Sequence, residues 1–337
     1  MPEPALASLA LVMALGLAFN FMNGFNDAAN TVATTIGARA LTLPAALALA
    51  AFFNFLGAFA SHKVAYTVAT GVLDPGYINS GLINAALAAS IVWSLATWSM
   101  GIPSSSSHAL ISALAGAGLA KAANETGALD AFNPASLGGV IMGLFTSPFL
   151  GFLAGFMLFK LFTRLVSLFS GMTLLRANRR FARLQVFSAA AMSFSHGAND
   201  AQKTMGLMAL ALFQGGVIEA FVIPWWITFL SAAAISAGTL WGGVRIIKTV
   251  AKRITELQPV HGFSAEAGGA MVVLGASAMG MPVSTTHVVI SSVVGVGFSK
   301  SVYRTPRDTL LAIINTWLLT IPSVMALSAG FYFIFVS

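Results

Sequence analysis

Two stretches of the sequence repeat the same order of chemically useful residues. Residues 100–112 read MGIPSSSSHALIS and residues 279–291 read MGMPVSTTHVVIS, so glycine, proline, hydroxyl residues and histidine recur at matched places. Glycine fits the position just beyond a helix end, and proline fits the first turn of the next helix. The pattern therefore predicts two helical hairpins, in which Pro103 and Pro282 each open a half-helix.

The hydroxyl residues after each proline lie where a half-helix leaves its first N–H groups unpaired. Those donors, the positive end of the helix dipole and the hydroxyls together form an anion site. Serine is also the ordinary N-cap residue, so one such stretch could be a simple cap. Two matched stretches, at 104–107 and 284–286, favour a site for a tetrahedral oxyanion.

His108 and His287 occupy matched positions at the end of these hydroxyl runs. As metal ligands they would need further His, Asp or Glu partners, and the neighbouring sequence offers none. We expect one ring nitrogen to hold a hairpin tip or a hydroxyl in place, with proton relay as the alternative. Serine, histidine and aspartate also compose hydrolase triads, but no G-x-S-x-G elbow is present and the whole set is duplicated, which fits a translocation path better.

A second matched pair reads GFNDAANT at 24–31 and GANDAQKT at 197–204. It places Asp27, Asp200 and Lys203 inside otherwise apolar segments, where an ionisable side chain is costly unless it faces a cavity or a partner. Asp200 and Lys203 are three residues apart and can pair on one helix face, which would be compatible with a purely structural role. Asp27 has no basic residue nearby in the sequence, so it needs a cation from elsewhere.

The composition places these motifs in a lipid bilayer. The 337 residues are 57% hydrophobic and 8% charged, with a mean hydropathy of +0.86, whereas soluble proteins carry about a quarter charged residues. The net charge of +7 does not indicate nucleic-acid binding, because the basic residues lie in short segments between apolar runs. The chain has no cysteine, so disulfides and thiolate-bound metals are excluded.

Apolar runs of bilayer length predict the helical segments. We interpret residues 5–22 as the start of the first span rather than a signal peptide, because no basic region precedes them. The predicted spans are 5–37 (interrupted), 43–61, 134–160, 184–215 (interrupted), 220–244 and 308–336, and the predicted re-entrant hairpins are 82–121 and 263–299.

The order of the motifs predicts an inverted repeat. Three crossings and one re-entrant hairpin in each half would turn the second half upside down. The predicted fold is an all-α integral membrane protein with two inverted-topology repeats, each of about three membrane-crossing segments, one of them interrupted, plus a re-entrant helical hairpin. The first repeat covers 1–163, a basic cytoplasmic linker covers 164–183, and the second repeat covers 184–337.

The basic residues predict the orientation of this fold. Fourteen of the 17 Lys and Arg lie at Arg39 and in the segments 160–183, 245–253 and 300–307, which share one side if the N-terminus is outside. Lys63 and Lys121 would lie outside, and Lys203 within the membrane. We therefore expect both termini outside the cell membrane.

The motif pairs GFNDAANTVATTIGARAL with SHGANDAQKTMG, and PSSSSHALIS with PVSTTHVVIS, resemble the signatures of the inorganic phosphate transporter (PiT) family over both halves of the chain. The resemblance implies cation-coupled phosphate uptake at a site near the midplane. The implied phosphate ligands are Ser105, Ser106, Ser107, Ser284, Thr285, Thr286, Asn26 and Asn199. The implied residues for cation or proton coupling are Asp27, Asn30, Asp200 and Lys203, with sodium at Asp27 and Asn30, and His108, His287, Thr31 and Thr204 are supporting residues.

The resemblance also bears on the coupling ion. Sodium-coupled members tend to repeat Asn-Asp-x-x-Asn, whereas residues 199–203 read NDAQK, which is similar to the bacterial Pit proteins regarded as proton-coupled. Charge leads to a related expectation, because phosphate carries between one and two negative charges near neutral pH. Together with Asp27 and Asp200 it makes the site anionic, and protons, sodium or a metal bound to the phosphate must enter with it.

Three alternatives stay open at this point: a permease for sulfate or another oxyanion, a passive anion channel and a membrane hydrolase. Intramembrane aspartates would repel anions in a channel, and no soluble catalytic domain supports a hydrolase. We predict a transporter rather than an enzyme, without a cofactor, with inorganic phosphate and the bilayer as partners. A homodimer is common for transporters of this size, but the sequence does not give the oligomeric state.

The predicted orientation can be tested with one cysteine. In this cysteine-free chain, Arg179→Cys should react with a membrane-impermeant thiol reagent only when the reagent reaches the cytoplasmic face, because Arg179 belongs to the predicted linker. Labelling from the external face of intact cells would contradict the orientation and the inverted repeat derived from it.

Overall fold

The structure is a computed structural model that describes residues 3–125, 131–168, 174–242, 247, 258–300 and 307–336. These residues are almost entirely helical. The helices, in chain order, are α1 Glu3–Gly37, α2 Leu43–Gly57, α3 Lys63–Gly71, α4 Ser80–Met100, α5 Ser106–Glu125, α6 Pro134–Leu168, α7 Leu174–Gln214, α8 Trp225–Trp241, α9 Pro259–Ala278, α10 Thr285–Lys300 and α11 Arg307–Val336, with a 3₁₀ turn at Pro75–Tyr77.

Several helices are suited to a bilayer. Segments 6–37, 80–100, 136–168 and 314–335 are long and apolar enough to cross it. Large apolar side chains on the outer faces stay exposed, among them Phe149 at 76%, Trp225 at 76% and Trp241 at 77% of their surface. Water would penalise such a surface and lipid would not. The chain is a membrane protein.

Both predicted hairpins are broken at the expected glycines. Gly101 and Gly280 have φ angles of 68° and 74°, in the left-handed region that favours glycine. The next helices begin at Ser106 and Thr285, so Pro103 and Pro282 lie in the extended stretch before the helix rather than in its first turn as we predicted. The serine before each helix fills the N-cap position instead.

Two other details of the predicted spans were wrong. Neither α1 nor α7 is interrupted at its Asn-Asp motif, because no proline removes a backbone hydrogen bond there. The predicted span 43–61 ends at Gly57, and α3 starts again at Lys63. Helices α6 and α7 also extend well into the segment 164–183.

Contacts between α1, α2, α7 and α8 fix their directions. A Cβ at Gly16 would lie 2.8 Å from Met208 Sδ, and Asp27 lies 3.8 Å from His196, so α1 and α7 run antiparallel. His196 bonds Asn54, and Gln202, later in α7, bonds Val64, which is later in the chain than Asn54. The segment formed by α2 and α3 therefore runs parallel to α7.

Helix α8 runs opposite to α2, and hence parallel to α1. Its Thr228 bonds His62 at 3.0 Å, whereas Thr239, three turns later, bonds Asn54 at 2.8 Å. The two helices that carry the matched Asn-Asp motifs, α1 and α7, are thus antiparallel, and α8 covers α1 along the same direction.

Glycines allow α1 and α8 to touch at the backbone. A Cβ at Gly238 would overlap the Phe21 carbonyl oxygen, and one at Gly24 would overlap the Ile235 carbonyl oxygen. Small residues at such crossings let membrane helices approach closely, where packing rather than hydrophobic exclusion holds them.

We expect Gly238→Ala to lower the thermal stability of the purified protein, because the added methyl group must push α8 away from Phe21. Overpacking of this kind costs about 1–3 kcal/mol. Gly275→Ala is the matched control, since a Cβ there meets nothing within 4 Å. Equal melting temperatures for both variants in the same detergent would contradict the close crossing.

Candidate functional site

Asp27 of α1 and Asp200 of α7 lie together where these two antiparallel helices meet. Both carboxylates are buried, with 2% and 0% of their surface exposed. A buried carboxylate is costly unless hydrogen-bond donors or cations surround it. The neighbouring side chains therefore decide what the site can bind.

Hydroxyl groups from both broken hairpins donate to these carboxylates. Ser106 Oγ donates to Asp27 Oδ2 at 3.1 Å, and Thr285 Oγ1 donates to Asp200 Oδ2 at 2.9 Å. Thr286 Oγ1 donates to the other oxygen of Asp27 at 2.8 Å. The structure thus brings three predicted site residues from α5 and α10 against the aspartates.

Lys203 is completely buried and forms an ion pair with Asp200 on the same face of α7. Its ammonium also donates to Ser107 Oγ and, at 3.2 Å, to the Val283 carbonyl oxygen. One carboxylate, one hydroxyl and one carbonyl oxygen therefore surround this fixed positive charge.

The two hairpins bond each other in a reciprocal way. Ser107 Oγ donates to the Val283 carbonyl oxygen at 2.7 Å, and Thr286 Oγ1 donates to the Ser104 carbonyl oxygen at 3.3 Å. Ser107 matches Thr286 and Ser104 matches Val283 in the repeated motif. Each hairpin therefore binds the other through corresponding atoms.

Ser105 and Ser284 are N-caps. Their hydroxyl oxygens accept hydrogen bonds from the backbone N–H groups of His108 at 3.1 Å and His287 at 3.2 Å. Simple capping, the alternative to an oxyanion site, therefore describes Ser105 and Ser284. The two hydroxyl residues that follow each of them lie at the buried site.

The two histidines meet between the hairpins. The rings of His108 and His287 are 4.5 Å apart, and the His287 ring packs 3.7 Å from that of Trp317. His108 Nδ1 lies 2.9 Å from Ser105 Oγ, so this ring contacts the capping hydroxyl.

The motif asparagines connect α1 and α7 to the hairpins. Asn26 donates to the Ser94 carbonyl oxygen at 3.2 Å, which joins it to α4. Asn199 donates to Ser277 Oγ at 2.9 Å and to the Met281 carbonyl oxygen at 3.2 Å, and it accepts from Val283 N at 3.3 Å. Both amides are thus placed to brace the hairpin ends.

The other predicted residues differ in their surroundings. Thr31 and Thr204 are buried, and the Thr204 hydroxyl has no hydrogen-bond partner among the described residues. The side chain of Asn30 lies outside the described part of the chain. Its proposed cation contact therefore stays a prediction.

Sequence reasoning missed His196, which lies between the aspartates. Its Nε2 is 3.2 Å from Asp200 Oδ2 and 3.8 Å from Asp27 Oδ2, and its Nδ1 bonds Asn54 Oδ1 at 3.0 Å. Its position one turn before Asp200 was visible in the sequence. Its proximity to Asp27 was not, because that depends on the antiparallel packing of α1 and α7.

Sequence reasoning also missed Glu266, although the criterion that selected Asp27 applies equally to it. Glu266 of α9 is fully buried and accepts hydrogen bonds from four side chains. The donors are Thr34 and Thr35 at 2.6 Å, Ser188 at 2.5 Å and Gln185 at 3.1 Å. This second buried carboxylate joins the ends of α1, α7 and α9.

The combined geometry can hold cations and an oxyanion. Asp27, His196 and Asp200 each offer one ligand atom, and these atoms lie within 4.8 Å of one another. The N-termini of α5 and α10 converge on the same place with their hydroxyls, which is the arrangement that favours an anion.

Comparison with known proteins agrees with this chemistry. The model of the phosphate transporter family matches residues 23–328. The chain is 41% identical over 327 residues to a "Probable low-affinity inorganic phosphate transporter" of Bacillus subtilis, with 96% of each chain covered. It is 40% identical over 324 residues to a protein of the same name from Rhizobium meliloti, with 96% of this chain and 95% of the relative covered.

A solved structure is similar as well. It is titled "The sodium-dependent phosphate transporter", has a TM-score of 0.87 and 28% sequence identity, and covers 97% of this chain and 98% of its own. These proteins are transporters, so the hydrolase alternative is wrong. The matched family model spans both hairpins and both Asn-Asp motifs, and the chain belongs to the phosphate transporter family.

Proposed function

We propose that the chain takes up inorganic phosphate across the cell membrane by symport with a cation, with protons as the preferred coupling ion. The two matched halves would form an inverted repeat and expose one central site to each side in turn. The antiparallel α1 and α7 and the reciprocal hairpin contacts support this arrangement.

Two groups of oxygen atoms at corresponding positions of the repeated motifs support cation coupling. On one side, Lys203 lies among the Asp200 carboxylate, the Ser107 hydroxyl and the Val283 carbonyl oxygen. These are the hard oxygen ligands that alkali cations also take, and here they surround a fixed ammonium.

On the other side, the corresponding atoms are the Asp27 carboxylate, the Thr286 hydroxyl and the Ser104 carbonyl oxygen, linked by hydrogen bonds of 2.8 and 3.3 Å. The sequence position that matches Lys203 is Asn30, which is neutral. The first set thus has a permanent cation and the second would bind a mobile one. One fixed charge then removes one required mobile cation.

Phosphate would bind between the N-termini of α5 and α10. Ser106, Ser107, Thr285 and Thr286 point their hydroxyls at Asp27, Asp200 and Lys203 in the present structure. A bound oxyanion would take over these donors as the aspartates bind cations. Phosphate and cation binding are therefore coupled, because neither charge is tolerable alone in a buried site.

The name of the similar solved structure supports sodium as the alternative coupling ion. Lys203 is the feature that argues for protons in this chain, since it fills one of the two cation positions. Uptake of radiolabelled phosphate into proteoliposomes, with pH and sodium gradients imposed separately, distinguishes the two ions.

In that assay we expect the native chain to need only a pH gradient. Lys203→Asn should lose this uptake or become sodium-dependent, because it vacates an oxygen-lined cation position. Lys160→Asn, at an exposed position of α6, is the control and should behave like the native chain. A native protein that is inactive without sodium would contradict proton coupling and leave Lys203 as the ion-pair partner of Asp200.

The hydroxyl of Thr286 should matter more than its size. Thr286→Val keeps the shape but leaves Asp27 without one donor, which costs about 1.5–3 kcal/mol for a charged partner, so kcat/KM for phosphate should fall at least about tenfold. Thr286→Ser should stay close to native. Thr163→Val removes a hydroxyl that bonds the Phe159 and Lys160 carbonyl oxygens of its own helix and serves as the control. Normal uptake by Thr286→Val would place the phosphate site elsewhere.

A further inference from the structure

Four further buried polar side chains belong to α1, α7 and α8 and lie outside the hairpins. They are Asn20, Asn23, Thr204 and Ser231, which we call the amide–hydroxyl cluster. All four are at most 2% exposed. Both side-chain polar atoms of each asparagine, and both hydroxyls, have no hydrogen-bond partner among the described residues.

Helix register brings these residues to neighbouring levels. Asn20 comes one turn after Gly16 and Thr204 one turn before Met208, and Gly16 contacts Met208 across the antiparallel pair. Ser231 comes one turn before Ile235, which touches Gly24, and α8 runs parallel to α1.

The cluster lies close to the central carboxylates. Asn23 and Asn20 precede Asp27 by four and seven residues on α1, which corresponds to about 6 and 10 Å along a helix. Thr204 follows Asp200 by four residues on the antiparallel α7, so it lies to the same side. In the proposed orientation this side faces the exterior.

Unpaired buried polar atoms are rare in folded proteins, and each costs about 1–3 kcal/mol. The repeat does not impose them here, because the positions of α7 that match Asn20 and Asn23 have partners. Those positions are Ser193, which donates to the Ala189 carbonyl oxygen at 2.8 Å, and His196, which bonds Asn54 at 3.0 Å. The unpaired amides of Asn20 and Asn23 therefore have no unpaired amide opposite them at the matched positions of α7.

We propose that the amide–hydroxyl cluster binds a small monovalent cation, sodium or hydronium, on its way to Asp27. The cluster offers four neutral oxygen ligands and no cationic side chain that would bind an anion. Amide N–H and hydroxyl groups can bond the waters that the cation retains. Asp27 and Asp200 face the one permanent positive charge of Lys203, and His196 between them adds a second only when it is protonated, so the adjacent centre attracts a cation while His196 is neutral. This inference rests on the proposed cation symport.

The test compares Thr204→Val, which has the same shape without the hydroxyl, with Thr204→Ser, which keeps it. Initial phosphate uptake is measured against external sodium at fixed pH and against external pH without sodium. We expect Thr204→Val to require about tenfold more of the driving cation for half-maximal rate, with the KM for phosphate at saturating cation unchanged. If the half-maximal concentration rises in the sodium series, the cation is sodium, and if it rises in the pH series, the cation is hydronium.

Ser231→Ala should raise the half-maximal concentration in the same series, and Ser90→Ala, which removes a buried hydroxyl bonded to its own helix at 2.8 Å, should not. Unchanged cation dependence in both cluster variants, or an equal rise in the KM for phosphate, would overturn the proposal.

A second measurement separates this proposal from the proposed function. Thermal unfolding of the purified chain is followed without phosphate, in sodium or choline chloride and over a range of pH. A native protein stabilised by sodium or acid, with a weaker effect in Thr204→Val, supports the cluster even if uptake fails. Equal stabilisation of the native protein and Thr204→Val would mean that the cluster holds only water, and it would overturn the proposal.

Discussion

The structure depends on keeping two carboxylates, Asp27 and Asp200, inside a membrane protein that has few other charges. Their negative charge must be balanced by donors and cations, because the apolar surroundings provide no screening. Lys203 balances one charge permanently. Hydroxyl groups of the two broken hairpins donate hydrogen bonds to the carboxylate oxygens of both aspartates. The position of each hairpin therefore depends on the aspartates.

Duplication supplies these donors efficiently. A single broken helix would offer one N-terminus and one set of hydroxyls, whereas two matched hairpins offer two that converge. Ser107 and Thr286 each bond the chain just before the opposite half-helix, so neither hairpin is complete without the other. A change at one aspartate therefore reaches both hairpins through hydrogen bonds, which is what coupling between two ligands requires.

The sequence alone predicted the features that follow from local pattern. The helix breaks at Gly101 and Gly280 and the Asp200–Lys203 pair depend on residues close together in the chain. Capping by Ser105 and Ser284 is also local, although the sequence offered it only as the alternative to an oxyanion site. The location of His196 beside Asp27 could not be predicted, because it requires the register of α1 against α7. The continuous α1 was mispredicted since polar motifs resemble interruptions, although an unbroken helix satisfies its own backbone. Glu266 could have been found from the apolar run around it, and only its four donors required the structure.

The two matched hairpins make reciprocal contacts through Ser107 and Thr286, but the two Asn-Asp motifs differ in charge. The ammonium of Lys203 occurs only in the second half, and Asn30 stands in its place in the first. Asn23 of α1 likewise matches His196 of α7, so an unpaired amide in the first half stands where the second half has an imidazole bonded to Asn54. A fully symmetric site would present the same cation affinity to both faces of the membrane. In the proposed transport cycle, differences at these two matched positions would let the path to Asp27 and the path to Asp200 differ in chemistry while the reciprocal hairpin contacts stay the same.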